Sequence, residues 1–181
     1  MRLTISFMLL NFLFTLLLSI GHQSNLAAFA NSSDEPVAVT PCKLQAYVID
    51  KDKNGLNVRS KPSSASATLA TIPFDEDGVI VQIIGANNNW VLISHAETVD
   101  GAEVFAGKGW VFAQLLGTST RYKVKLLQEP SKKSIGVGFV PVEGEVKLMT
   151  CKGEWVRVGY KKLAGWLEPN AQCPNPVTTC P

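Results

Sequence analysis

Histidine is almost absent from this 181-residue chain, His22 and His95 being the only two. The chain also lacks a close Cys-x-x-Cys pair, a stretch that holds a helical period for three turns, and any large excess of charge, the formal net value being +2. Each lack excludes something. A zinc hydrolase normally takes at least two histidines, and only His95 lies beyond the first 30 residues; a zinc clasp takes two cysteines from one turn, so neither fits. A near-neutral balance gives no general argument for nucleic acid. Without helical periodicity the chain reads as all-β.

One long apolar run is present, and it comes first. Arg2 precedes Ile5 to Ile20, interrupted only by Ser6, Asn11, Thr15 and Ser19, and Ala28-Phe29-Ala30 follows a polar segment. That order reads as a signal peptide over 1–30, cut after Ala30. The alternative is an uncleaved anchor, for which the run is short of the roughly 20 residues a span needs. No Cys follows the run, so a lipid anchor there is not expected, and nothing later is long enough to cross a bilayer. The expected location is therefore secreted, periplasmic or cell envelope, with no stable membrane span after cleavage. Cleavage removes Arg2 and His22 and leaves 16 bases against 15 acids. They are unevenly spread, residues 31–119 carrying −4 and 120–181 carrying +5. The contrast reads as drift in surface composition, as mutual attraction of the halves, or as a basic half that meets an anionic surface.

Cys42, Cys151, Cys173 and Cys180 are all the cysteines. An even number in an exported chain implies disulfides, with three pairings open. The preferred reading joins Cys151 to Cys173 and Cys42 to Cys180, stapling the two ends of the mature chain. Pro174 and Pro176 suggest a stiff tail over 171–181.

Residues 31–43 are polar and read as a linker. From Leu44 onward apolar residues alternate: Leu44, Ala46, Val48; Leu56, Val58; Val79, Val81, Ile83; Val91, Ile93. Turn signals separate them at Lys53-Asn54-Gly55, Asp77-Gly78, 85–89 and Asp100-Gly101. Short strands at close spacing indicate a barrel or sandwich. Four landmarks then occur twice in the same order. Leu56 to Pro62 aligns with Val124 to Pro130, Gly78 to Val81 with Gly144 to Lys147, Asn89 to Ile93 with Glu154 to Val158, and Gly109-Trp110-Val111 with Gly165-Trp166-Leu167. The first copy is longer because of an insert near Ala96 to Phe105, read as a longer hairpin turned at Asp100-Gly101. The organisation expected is domain 1 over 44–119 and domain 2 over 120–170.

Leu56-Asn57-Val58-Arg59-Ser60-Lys61-Pro62-Ser63, Trp90-Val91 and Gly109-Trp110-Val111 resemble the bacterial SH3-like (SH3b) family. The second copy departs from it, with Leu127 where the family usually has Arg and Glu129 for a small or basic residue; Pro130, Trp155-Val156 and Gly165-Trp166-Leu167 hold. The resemblance implies two tandem small SH3-like β-barrels. It also implies binding of cell-wall peptide or peptidoglycan.

Alternation places Val91 and Ile93 on one strand face and Trp90 on the other, and likewise Val156 and Val158 against Trp155. Trp90, Trp155, Trp110, Tyr47 and Tyr160 are the candidate ligand-binding aromatics, since a half-exposed ring buries much area at little entropic cost. The plainer reading is that they cap small barrels, Trp166 and Tyr122 with them. Arg59 suits a ligand carboxylate, an intramolecular salt bridge, or a clamp on its own loop. Asp75-Glu76-Asp77 reads as a solvated turn before it reads as a calcium site. Lys132-Lys133 and Lys161-Lys162 read as solvated surface, or as contacts to an anionic polymer.

No enzyme activity is expected. His95 would be the lone imidazole, it lies in a strand beside Ser94 on opposite faces, and the thiols are expected to be oxidised, so no nucleophile has a base. No cofactor or metal is implied. The expected function is an exported binding protein for cell-wall peptide or peptidoglycan. The alternative is a structural factor that binds another exported protein.

Overall fold

Every alternating run of the sequence lies in a strand, with its apolar side chains turned inward. The computed structural model describes residues 36–178 and 180; the leader, its cut after Ala30 and linker residues 31–35 lie outside the described residues. Thirteen strands are described: β1 Thr40–Val48, β2 Leu56–Arg59, β3 Thr68–Ile72, β4 Val79–Asn87, β5 Trp90–Thr98, β6 Glu103–Phe112, β7 Leu116–Thr120, β8 Val124–Leu127, β9 Gly136–Val140, β10 Val146–Lys152, β11 Trp155–Tyr160, β12 Leu163–Leu167 and β13 Gln172–Cys173. One 3-10 turn, Ala113–Leu115, precedes β7. No α-helix occurs among the described residues, and none of their helices is long and apolar enough to cross a membrane.

Hydrogen bonding follows one path, β3-β2-β6-β5-β4-β1-β7-β10-β11-β12-β8-β9, with β13 added to β7. Either side of β7 the same order occurs: a β2–β3 hairpin and a β4–β5–β6 meander, then a β8–β9 hairpin and a β10–β11–β12 meander. The insert is a longer β5–β6 hairpin. The Thr98 hydroxyl bonds the Asp100 carboxylate, and the Gly101 N–H donates to the Thr98 carbonyl at 2.9 Å.

The division expected between Ser119 and Thr120 falls inside β7. Gly117 pairs with Tyr47 of β1 on one edge and with Lys147 of β10 on the other, while Ser119 and Thr120 take Cys173 and Gln172 where β1 has ended. One strand thus serves both halves. Residues Pro36–Pro181 form one compact unit, and a single apolar cluster runs through it from Val58 and Ile83 past Leu116 to Leu148 and Leu167. The buried hydroxyls on β7 are satisfied: Thr118 donates to the Cys173 carbonyl at 2.7 Å, and Thr120 donates to the Pro141 carbonyl while accepting from the Gly144 N–H.

The disulfides differ from the preferred pairing. Cys42 joins Cys151, and Cys173 joins Cys180. β1 begins at Thr40, ahead of Leu44, and its first residues cross to the second half. There the Lys43 N–H donates to the Gly153 carbonyl at 2.8 Å and the Gly153 N–H donates to the Pro41 carbonyl at 2.7 Å. Those two bonds bring Cys42 to 5.8 Å (Cα–Cα) from Cys151. The tail closes on itself, and Pro176 lies against Gly78.

The glycines ahead of Trp110 and Trp166 have one shared role. A Cβ on Gly109 would stand 2.2 Å from Val58 Cγ1, and one on Gly165 would stand 2.9 Å from Leu126 Cβ. Val58 and Leu126 occupy the same place in β2 and β8. Neither glycine has a positive φ, so close packing of strand on strand is what excludes a side chain.

Candidate functional site

Trp90 opens β5 immediately after a turn in which Asn88 takes φ +51°. Val91 and Ile93 drop into the core, and the Trp90 ring is left half-buried on the other face. Its register partner on β6 is Phe112, and the two rings meet edge to face with centroids 5.5 Å apart. Such a pair contributes about 0.5–1.5 kcal/mol beyond the area it buries and holds both rings in place. The pair forms one side of an open groove of about 690 Å³. Arg59 at the end of β2 and Pro62 and Ser63 from the β2–β3 connection line it too, with Asp50 and Asp52 from the β1–β2 connection.

Both connections are tied internally. Arg59 Nη1 donates to the Ser66 carbonyl at 2.8 Å and reaches the Thr68 hydroxyl at 3.5 Å. The Ser66 hydroxyl meets the carbonyls of Lys61 and Ser63, both at 2.8 Å. Arg59 is therefore a clamp on its own loop that also lines the groove. Asp52 Oδ1 accepts from the Asn54 N–H at 2.9 Å and from the Asn54 side-chain amide at 2.8 Å. Walls held this way need little ordering when a ligand arrives, which favours binding. The groove carries aromatic surface with a guanidinium and two carboxylates, which suits a peptide bearing both charges.

The other candidates lie elsewhere. Trp110 is only 5% exposed, and the structure places it in the core rather than on a binding surface. Gly109, Trp110 and Val111 are buried in succession, so this end of β6 is covered on both faces. Tyr47 is likewise buried, and burial, followed by the Glu145 charge, pushes its hydroxyl pKa up to about 12. Tyr160 is half-buried against the core with the Lys161 ammonium 5.2 Å from its ring centre. Trp155 is half-buried opposite Lys152 and does not line the Trp90 groove. Asp75 Oδ1 accepts from the N–H groups of Asp77 and Gly78, which makes that acidic run a capped turn. His95 stands between Glu97 at 3.4 Å and Glu103 at 3.3 Å on the long hairpin. Phe112, Asp50 and Asp52 were missed. Phe112 is half-buried two residues beyond Trp110, and only its cross-strand register against Trp90 marks it.

Residues 54–117 match the family model of the bacterial SH3 domain, from the turn before β2 into β7. No curated protein matches the chain. Among solved structures the chain is similar to NlpC2 from Trichomonas vaginalis, 14% identical over 76% of this chain and 48% of that one, with a TM-score of 0.31. It is also similar to NlpC1 from Trichomonas vaginalis, 16% identical over 77% and 47%, with a TM-score of 0.30. The chain spans about half the length of these two structures, and at such TM-scores the likeness carries no argument.

Proposed function

We propose that this is an exported, non-catalytic binding protein that recognises cell-wall peptide through the Trp90 groove. The single observation that carries the reading is the groove itself. A fixed Trp90–Phe112 pair faces a loop clamped by Arg59, with Asp50 and Asp52 beside it. The bacterial SH3 match over 54–117 contains most of these residues and supports the same ligand class. In this reading residues 120–170 are a divergent second copy of the barrel that shares β7 with the first. The repeated hairpin and meander and the equivalent roles of Gly109 and Gly165 support it. Two disulfides and the leader-like residues 1–30 support export.

Retention of the protein on purified wall sacculi tests the function. The wild type should be retained at low salt, released by free wall peptide, and lost on Trp90→Ala. Release by glycan strands instead of peptide would move the site to the sugar. No retention by either would leave binding to another exported protein as the better account.

A further inference from the structure

We propose that the outer surface of the β8–β9 hairpin is a docking site for an anionic phospholipid surface, separate from the Trp90 groove and independent of what that groove binds. Four apolar side chains stand out of the fold there: Ile135 (72% exposed), Val137 (38%), Phe139 (56%) and Leu163 (37%). All four lie on or beside β9, the strand that ends the hydrogen-bonded path. Leu163 Cδ1 would lie 2.5 Å from a Cβ on Gly138, and Val137 Cγ2 would lie 2.9 Å from one on Gly165, so β9 and β12 press together at this patch. A register shift between Leu126 and Leu127 turns Val137 toward Gly165 on the Leu126 side, while Phe139 pairs with Lys125 on the other, so apolar side chains leave both faces of β9, with Ile135 just ahead of it. A terminal strand with apolar side chains on both faces is shaped to enter an apolar boundary edge first.

The charges around β9 are of one sign but for a single acid. Lys123 and Lys125 come from β8 and its start, Lys132 and Lys133 from the β8–β9 connection, and Lys161 and Lys162 from the turn just before Leu163, all exposed. The Lys123 ammonium lies 5.2 Å from the Phe139 ring centre, and the Lys125 stem crosses Gly136. Glu129 is the one acid on these elements. Protruding apolar tips inside a ring of ammonium groups match the boundary between anionic headgroups and acyl chains. Each lysine near such a surface contributes attraction, and the tips enter the headgroup region without burying the backbone. The competing occupant is an acidic protein strand added to β9, which ends the hydrogen-bonded path.

Residues 36–181, the compact unit, are the protein to use, because the apolar run at 5–20 would bind vesicles by itself. Sedimentation with phosphatidylglycerol vesicles should retain it, and phosphatidylcholine vesicles should not. Phe139→Ser with Ile135→Ser should abolish retention. Lys132→Ala with Lys133→Ala should weaken it roughly thirtyfold, each lysine counting for about fivefold. Both pairs sit on exposed positions, and near-UV circular dichroism and the melting temperature should stay as in the parent. The Trp90→Ala variant should bind vesicles as the parent does. Failure to bind phosphatidylglycerol vesicles at low salt overturns the proposal, including the case in which an acidic peptide binds β9 instead. Equal retention on both vesicle types, or retention that survives both pairs of substitutions, overturns it as well.

Discussion

Removing the Cys42–Cys151 bridge should cost about twice as much stability as removing Cys173–Cys180. The two bridges close segments separated by 109 and 7 residues. In the chain-entropy account, cross-linking lowers the entropy of the unfolded chain with the logarithm of loop length, giving about 4.8 kcal/mol for the long loop and about 2.4 kcal/mol for the short one. The structure adds to the contrast. Cys42 sits where β1 hydrogen-bonds Gly153 of the second half, and Cys42 and Cys151 are both core residues. The Cys42→Ala/Cys151→Ala protein should melt roughly 10 to 20 °C below the parent and Cys173→Ala/Cys180→Ala roughly 5 to 10 °C below it, at about 2–4 °C per kcal/mol. Melting followed by tryptophan fluorescence in non-reducing buffer measures both, and peptide mapping of the unreduced parent establishes the pairing first. A Cys151–Cys173 peptide in that map would refute the crossing of β1 to the second half. Equal melting temperatures for the two double variants would refute the loop-length reasoning.

Gly109→Ala should destabilise by about 1–3 kcal/mol by overpacking against Val58, and Gly165→Ala should act alike against Leu126, in urea titrations of each variant. Trp110→Ala should lose about 3–5 kcal/mol or fail to fold, whereas Trp90→Ala should fold and lose wall retention, which separates core from groove by melting and sacculus binding on the same samples. Stability should fall between about pH 10 and pH 12. The Tyr47 hydroxyl holds its proton to about 12 when folded, against 10.0 otherwise, so the unfolded state binds fewer protons across that window. The slope is at most about 1.4 kcal/mol per pH unit. Urea midpoints measured against pH should show that slope in the parent and lose it in Tyr47→Phe.

The inward and outward faces of β1, β2, β4 and β5 were legible from the sequence because alternation is a local property of a half-covered strand. The same logic placed Trp90 and Trp155 away from the core side of their strands, and both are half-buried there. Alternation has nothing to say at Trp110, where Gly109 to Val111 are covered on both faces and a period of two carries no information. The repeated Gly-Trp pair was visible as a pattern, yet its cause, contact with Val58 and Leu126, appears only once β6 lies on β2 and β12 on β8.

Sequence alone determined the all-β character, the places of the turns, the doubled order of landmarks and the ring of Trp90, since each depends on neighbours along the chain. Tertiary structure decided that β7 belongs to both halves, that Cys42 meets Cys151, and that Arg59, Phe112 and Asp50 share a groove with that ring. These depend on register between strands far apart in the chain. Register is set by how one apolar cluster fills from both halves at once, and no local pattern of side chains encodes that.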